Sequence, residues 1–289
     1  MPDGSVILVE IEARRLTRIM PDGAKRVIAV TGGGPNGAAM GPDGACYVCN
    51  NGGFRWHEQG GVLRPMLQAD DYSGGRIERV DLATGAVTVL YSEVGGNQLR
   101  GPNDIVFDDL GGFWFTDLGK TRERDSDRGA VYYAKADGSR IEEKIFPLER
   151  PNGCGLSPDE KWLYVVETPT ARCWAFELSA PGEIKSANGP YRGEKGRVIA
   201  GLGGYQMFDS LAVDSAGHIC VATLITGAVS DISPDGTSVT QYKLPDPMVT
   251  NVCFGGKDLR TAFATLSMTG KLVSFEWPRP GLKLNYLNK

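Results

Sequence analysis

The chain has 289 residues, with 31 Lys and Arg against 35 Asp and Glu, which gives a formal net charge of −4 at pH 7. Nucleic-acid binding needs clustered basic residues that neutralise phosphates, and their absence from the sequence excludes a nucleic-acid partner and favours a small molecule. No run approaches the roughly 18 apolar residues of a membrane span, and residues 1–4 do not resemble a signal peptide. We therefore expect a cytoplasmic protein without a membrane partner.

The six cysteines are too sparse for a disulfide scaffold in a chain of this length. Cys46 and Cys49 have the spacing of a CxxC motif, but they fall in a run that is typical of a β-strand. Side chains three residues apart in a strand point to opposite faces, so this pattern disfavours a redox or zinc site.

Glycine recurs along the chain in one pattern, a short apolar run, a turn rich in Pro, Asp and Gly, and a second apolar run. This pattern is typical of a β-hairpin. Five complete copies begin near residues 38, 104, 155, 211 and 252, and further strand candidates follow them, such as 76–80, 87–90 and 130–134. Repeats of this length with four strands each are typical of propeller blades. The sequence predicts an all-β protein, a six-bladed β-propeller that forms a single domain over residues 1–289.

The repeats also predict where the blades depart from the regular pattern. Residues 1–5 match the turn of a hairpin and residues 6–10 match its second strand, so the innermost strand of blade one is expected to precede this N-terminus. The long gap between Asn50 and Arg76 predicts an insertion in blade two, and residues 281–287 predict an outer strand of the last blade.

The residue just before each complete hairpin is Asn or Asp in every copy. These five residues, called the hub residues below, are Asn36, Asn103, Asn152, Asp209 and Asn251. Any one alone is an ordinary turn residue, but equivalent positions in successive blades converge on the propeller axis. Oxygens gathered there repel one another unless a cation or water lies between them, and hard divalent cations take such ligands. The pattern therefore predicts a metal at the hub, with Asp209 as the one formal negative charge, and a further carboxylate from the expected upstream strand would balance the charge.

Polar residues also end the second strands of the hairpins. Glu10 and Glu167 lie in register with Asn50, Asp117 and Thr223, and we interpret these residues mainly as supports for neighbouring loops rather than as metal ligands. The loops after the second strands share the face on which the hub residues enter, so they are expected to form the wall of a pocket. The candidate substrate-binding residues are Asn36, Asn50, Trp56, His57, Arg122, Asn251 and Met268.

No other catalytic motif competes with the hub. The sequence contains two histidines, and the second, His218, follows a turn on the opposite face, where a surface position is expected. Neither a Gly-x-Ser-x-Gly elbow nor a phosphate-binding loop occurs.

Residues 101–104, 151–153 with 156–159, and 208–214 resemble the senescence marker protein, gluconolactonase and luciferin-regenerating enzyme family over nearly the whole chain. The resemblance implies a six-bladed propeller with one divalent cation, bound by a Glu, two Asn and an Asp. Asn103, Asn152 and Asp209 match three of these ligands, and the family's Glu would precede this N-terminus. Several sugar-lactone members carry a substrate-gripping arginine where this chain has Gly101, and the adjacent Arg100 is out of register, which leaves aldonolactone specificity open.

The resemblance and the hub together predict a metal-dependent hydrolase that opens the ring of a small lactone. The cation would act as a Lewis acid, and Asp209, or water that it orients, would act as base or nucleophile. Oxygen ligands suit calcium, magnesium or manganese and sometimes zinc or iron. A phosphotriesterase-type hydrolase on the same metal and a non-catalytic ligand-binding propeller are the alternatives, and the oligomeric state stays open.

Overall fold

Strands form all the regular secondary structure in residues 1–185 and 196–289, the part of the chain that a computed structural model describes. The fold is a six-bladed β-propeller, as the sequence predicts. Within those residues no helix has the length and apolar character needed to cross a membrane. The chain divides into two compact units, Met1–Pro147 with Leu284–Lys289 (the first unit) and Leu148–Lys283 (the second unit).

The first three blades lie in the first unit, and their sheets are antiparallel. The strands are β1 (Val6–Glu10), β2 (Arg15–Ile19), β3 (Lys25–Val30), β4 (Pro35–Met40), β5 (Cys46–Asn50), β6 (Phe54–Gln59), β7 (Val62–Gln68), β8 (Arg76–Val80), β9 (Val87–Tyr91), β10 (Glu93–Val94), β11 (Asn97–Gln98), β12 (Pro102–Phe107), β13 (Gly112–Asp117), β14 (Gly129–Lys135) and β15 (Ile141–Leu148). The sheet orders are β1-β2-β3, β4-β5-β8-β9 and β12-β13-β14-β15. Separate hairpins are formed by β6-β7 and β10-β11, and the first of these confirms the predicted insertion in blade two.

The remaining blades lie in the second unit. Its strands are β16 (Pro151–Leu156), β17 (Trp162–Glu167), β18 (Arg172–Ala180), β19 (Glu183–Ile184), β20 (Gly196–Gly201), β21 (Met207–Val213), β22 (Ile219–Leu224), β23 (Ala228–Ile232), β24 (Val239–Lys243), β25 (Val249–Gly255), β26 (Thr261–Leu266) and β27 (Lys271–Glu276). The sheet orders are β16-β17-β18 with both β19 and β20 on β18, then β21-β22-β23-β24, and β25-β26-β27.

The predicted outer strand over residues 281–287 is wrong. Gly281 forms an isolated bridge with Asp214, and residues 284–288 form a turn. In the first unit the Tyr286 ring packs edge-on against Phe107 at 5.7 Å between ring centroids, and Asn285 Nδ2 donates to the Phe107 carbonyl at 3.0 Å. The tail is therefore held by the ring contact of Tyr286 and the hydrogen bond of Asn285 to Phe107, and not by pairing as a strand.

Strand β5 shows why its two cysteines do not form a joint site. Cys46 packs with Leu16 and Val80, whereas Cys49 packs with Tyr47 and Phe107 in a different apolar cluster, which confirms the opposite faces. All six cysteines of the chain are free thiols. Burial raises the pKa of the Cys46 thiol to about 12 and raises that of Cys49 well above its usual value, so both stay protonated at neutral pH.

Candidate functional site

Each hub residue lies in a β-bulge, at the start of the innermost strand of its sheet. In all five inner strands, two residues oppose a single residue of the partner strand. The pairs are 36–37 against Cys49, 103–104 against Thr116, 152–153 against Val166, 209–210 against Ala222, and 250–251 against Thr265. A bulge takes a side chain out of the regular strand alternation and re-aims it. In β4, β12, β16 and β21 the hub residue is the first of the two bulge residues, whereas in β25 Asn251 is the second and pairs with Thr265. Four of the five hub residues therefore share the same backbone position as well as a repeated sequence position.

In the first unit, the inner strands β4 and β12 contact each other at their bulges. A Cβ at Gly37 would lie 2.3 Å from the backbone oxygen of Asn103, so only glycine fits at this crossing. Asn36 is half-buried and Asn103 is buried, on neighbouring strands. The Asn103 Oδ1 atom is buried without a hydrogen-bond partner among the described residues, and such an acceptor costs about 1–3 kcal/mol unless a ligand satisfies it.

In the second unit, the same crossing joins β16 and β21. A Cβ at Gly153 would lie 2.5 Å from the Leu211 nitrogen and 2.9 Å from the Asp209 oxygen, which again admits only glycine. Asn152 is buried, and its Nδ2 donates to Thr168 Oγ1 at 3.0 Å. This bond fixes the amide plane, with the nitrogen toward Thr168 and the oxygen on the other side. Asp209 is half-buried, and Asn251 is half-buried on the adjacent strand β25.

Arg150, just before β16, was missed by the sequence analysis. Its backbone has φ of 49°, in the left-handed region, which costs a non-glycine residue about 1–2 kcal/mol. Its Nε atom is buried without a hydrogen-bond partner among the described residues. Burial lowers the pKa of the guanidinium, and the nearby charge of Asp209 opposes that shift. The sequence signal that could have indicated Arg150 is its position directly before the 151–153 motif, two residues before Asn152.

Asn50 ends the second strand of blade two and holds the loops around it. Its Oδ1 accepts hydrogen bonds from the Gly34 and Gly52 nitrogens at 2.8 and 3.0 Å. Its Nδ2 donates to the Gly32 oxygen and to Glu78 Oε2, both at 3.0 Å. These four bonds use the whole amide within the protein, so the Asn50 side chain supports the loops around it rather than offering a donor or acceptor to a substrate.

Asp117 and Glu167 have the same role in the next two blades. The Asp117 carboxylate accepts bonds from the backbone nitrogens of Arg100 and Gly101, both at 2.7 Å, and from that of Gly119 at 2.8 Å. Burial raises the pKa of Asp117, and these three donors counteract the effect. Glu167 Oε1 accepts from the Glu149 nitrogen at 2.8 Å, next to Arg150. The carboxylates of Asp117 and Glu167 therefore hold the segments that lead into β12 and β16.

The candidates Trp56 and His57 lie on the inserted hairpin β6-β7, where Trp56 is half-buried and His57 is exposed. Gln68, at the end of that hairpin, donates its backbone N–H to the Thr121 oxygen at 2.8 Å. Arg122 forms ion pairs with Asp125 and, at 2.8 Å, with Asp127. The insertion and the loop 118–127 are thus joined, and the guanidinium of Arg122 is already paired with two carboxylates.

Lys120, in the same loop, is fully buried and was also missed as an individual residue. Its Nζ donates to Asn51 Oδ1 at 3.0 Å and to the Gly53 oxygen at 2.9 Å, and it lies 4.0 Å from the centre of the Phe54 ring. The ammonium group therefore holds the segment that leads from β5 into the inserted hairpin. No short-range pattern in the sequence indicates this partnership.

The last candidate, Met268, is half-buried in the turn after β26. His218 lies at the other end of its hairpin, partly buried, with its Nδ1 atom 2.7 Å from Asp231 Oδ1. Asp214, Cys220 and Asp231 bring potential metal-binding atoms within 4.8 Å of one another. However, Arg279 bonds to both carboxylates, so a guanidinium already supplies the positive charge of this cluster.

Fold and site together define a class of protein, β-propellers that present an amide or carboxylate side chain from a bulge in successive blades. The particular family follows from comparison with known proteins. The chain belongs to the SMP-30/gluconolactonase/LRE-like family, whose model matches residues 1–268.

Relatives of this family include enzymes with assigned activities. The chain is 32% identical to a 6-deoxy-6-sulfogluconolactonase from Pseudomonas putida over 239 residues, which cover 80% of this chain and 74% of that enzyme. It is 28% identical to a gluconolactonase from Zymomonas mobilis over 81% of this chain, although the match spans 61% of that enzyme.

Solved structures share the fold at lower identity. A gluconolactonase from Xanthomonas campestris aligns with a TM-score of 0.73 and 23% identity, over 96% of this chain and 83% of that one. The calcium-binding protein regucalcin from Agrobacterium tumefaciens aligns with a TM-score of 0.74 and 20% identity, over 100% of this chain and 90% of that one.

Proposed function

We propose that the chain is a lactonase, an enzyme that hydrolyses the cyclic ester of a small sugar acid. Membership of the family and the activities of the Pseudomonas and Zymomonas relatives support this class of reaction. The observation that carries the proposal is the placement of Asn152 and Asp209 at matching bulges of neighbouring inner strands. Asn152 offers an amide oxygen as a possible ligand, and its amide nitrogen is held by Thr168. Asp209 is a carboxylate that can accept a proton.

We further propose that Asn152 and Asp209 bind a divalent cation, and that the buried amide of Asn103 also serves as a metal ligand, as the sequence predicts. Amide and carboxylate oxygens are the ligands that hard divalent cations prefer. The Oδ1 atom of Asn103 is buried without a hydrogen-bond partner among the described residues, and a cation would satisfy this oxygen whereas neighbouring apolar side chains would not. When bound, such a cation supplies Lewis acidity that polarises an ester carbonyl.

Asp209 is the residue we assign to proton transfer. Its carboxylate accepts a proton from water while the water oxygen forms a bond to the carbonyl carbon. The ester bond to the ring oxygen then breaks, that oxygen takes up a proton, and a hydroxy acid leaves. A positioned base of this kind contributes about 10²- to 10⁴-fold in rate.

The test is turnover of a panel of sugar-acid lactones and one fluorophosphate in a pH-indicator assay. It is run with chelator and after adding back calcium, magnesium, manganese or zinc. We expect lactone hydrolysis that chelator abolishes, and a loss of about 10²- to 10⁴-fold in Asp209→Asn. Asp22→Asn, a change at an exposed turn, is the matched control and should leave the rate unchanged.

Three results would count against these assignments. Full turnover by Asp209→Asn would remove that residue from the chemistry. Unchanged activity after complete metal removal would overturn the proposed cation. Hydrolysis of the fluorophosphate alone, without any lactone, would replace the lactonase with a phosphotriesterase-type enzyme.

A further inference from the structure

One blade differs from the others in the residue two positions before its hub residue. Among the five blades that have a hub residue, this position is glycine or apolar in four, as Gly34, Gly101, Met207 and Val249. In blade four it is Arg150. At Gly101 a Cβ would lie 2.5 Å from the Gly119 oxygen, so the equivalent site in blade three has no room for a side chain. Arg150 is therefore a local feature of one blade and not a requirement of the repeat.

Arg150 is half-buried, and the Nε atom of its guanidinium is buried without a hydrogen-bond partner among the described residues. The charge of Asp209 lies near this guanidinium, yet the Nε–H group has no acceptor among those residues. A buried N–H donor without an acceptor is costly, so this donor is suited to an oxygen that arrives with a ligand. Guanidinium groups bind paired anionic oxygens most strongly, because their N–H groups match a carboxylate or sulfonate in two parallel bonds.

The backbone holds Arg150 in place next to the proposed site. Its carbonyl oxygen accepts a hydrogen bond from the Thr168 nitrogen at 3.2 Å, and Glu167 holds the preceding residue, Glu149, at 2.8 Å. Thr168 also holds the amide of Asn152. Strained left-handed conformations of non-glycine residues concentrate at ligand-binding sites, and Arg150 adopts one at φ of 49°.

We propose that Arg150 binds an anionic substituent of the substrate, so that the preferred lactone carries a carboxylate or a sulfonate outside its ring ester. The inference rests on the proposed lactonase function. Among the hub residues of the second unit, Asp209 alone is negatively charged, and Arg150 offsets its charge. A divalent cation would add further positive charge to the site, which an anionic substrate reduces and a neutral one does not.

The first experiment compares kcat/KM for neutral glucono-δ-lactone, a carboxylate-bearing glucarolactone and a sulfonate-bearing gluconolactone. We expect the wild-type protein to prefer one or both acidic lactones. Arg150→Gln should lower kcat/KM for the preferred acidic lactone about 10- to 100-fold more than for the neutral one, mainly through KM. Arg150→Lys should retain part of the preference, since it keeps the charge but not the paired geometry. Arg26→Gln, the same change at an exposed residue of β3, is the control.

The second experiment measures binding of the ring-opened products by calorimetry, with gluconate against glucarate and the sulfonate-bearing acid. The wild-type protein should favour an acid with a second negative charge, and Arg150→Gln should remove that difference. Equal kcat/KM for neutral and acidic lactones in the wild-type protein, or equal losses on all three in Arg150→Gln, would overturn the proposal. If circular dichroism shows that Arg150→Gln does not fold, Arg150→Lys is used instead. A partial loss of the preference for acidic lactones in that variant supports the proposal, and an unchanged preference overturns it.

The two proposals fail in different ways. If no lactone is hydrolysed, the proposed function fails, whereas Arg150-dependent binding of a dianionic sugar acid still supports the anion site. If neutral lactones alone are hydrolysed and Arg150→Gln has no effect on them, the lactonase stands and the anion site falls.

Discussion

Replacing Thr168 with valine tests the support of a proposed metal ligand with almost no change in volume. The substitution removes the hydroxyl oxygen that accepts the Asn152 amide at 3.0 Å, where the two residues are 8% and 6% exposed. A neutral hydrogen bond of this kind contributes about 0.5–1.5 kcal/mol to stability. With an unfolding entropy of about 2.1 cal/mol/K per residue over 289 residues, Tm should fall by about 1–3 °C.

The effect on metal binding should be larger than the effect on stability. Without Thr168 Oγ1 the Asn152 amide loses one of the bonds that orient it, and loss of such a supporting bond weakens metal affinity by about 10- to 100-fold. This corresponds to about 1.4–2.8 kcal/mol of binding free energy. Isothermal titration calorimetry with calcium and manganese on the purified, metal-free protein measures it directly.

Thr223→Val is the matched control. Thr223 is buried at the end of β22, and its hydroxyl lies 2.7 Å from Ser230 Oγ and donates to the Val221 oxygen, so its loss should cost similar stability. Its metal affinity should equal that of the wild-type protein. Wild-type affinity in Thr168→Val, or an equal loss in both variants, would refute the reasoning.

Two further predictions concern buried charges. Arg279→Met leaves the carboxylates of Asp214 and Asp231, which are 0% and 5% exposed, without their cation, and should cost about 3–5 kcal/mol in urea unfolding. Arg140→Met, which breaks an exposed ion pair, should cost under about 1 kcal/mol, and equal costs would contradict this account. Burial raises the pKa of Glu78 above 4.5, so the folded chain binds this proton more readily than the unfolded chain does. The unfolding free energy of the wild-type protein relative to Glu78→Gln should therefore increase as the pH falls from 7 toward 4.5. A pH-independent difference would show that Glu78 does not titrate in this way.

The blades could be predicted from the sequence because their signals are local. Alternating apolar residues around Pro, Asp and Gly turns predicted strands at 76–80 and 87–90, which the structure places in β8 and β9. The same alternation explains why Cys46 and Cys49 face different clusters. The alternation of apolar and polar residues along a strand depends only on neighbouring positions, so the sequence alone is enough to predict it.

The parts that could not be predicted depend on contacts between distant segments. The tail at 281–287 alternates like a strand, yet Tyr286 is placed by the Phe107 ring, far away in the sequence. Lys120 is buried because Asn51 and Gly53 surround its ammonium group, and no pattern near residue 120 indicates this. The bulges also escaped prediction, because an extra residue in one strand is visible only against its partner. The roles of the hub residues stay predictions, which the metal titration and the Asp209→Asn variant test.

The shared bulge also affects how this scaffold can change its chemistry. A residue in a bulge lies outside the paired ladder, and the residues on either side keep their partners whatever side chain it carries. Exchanging an amide for a carboxylate there would alter the affinity for a cation, or the cation chosen, while the apolar clusters between the sheets stay as they are. The strands β4, β12, β16 and β21 thus each offer one such position, at which a single substitution can change specificity without repacking the interior.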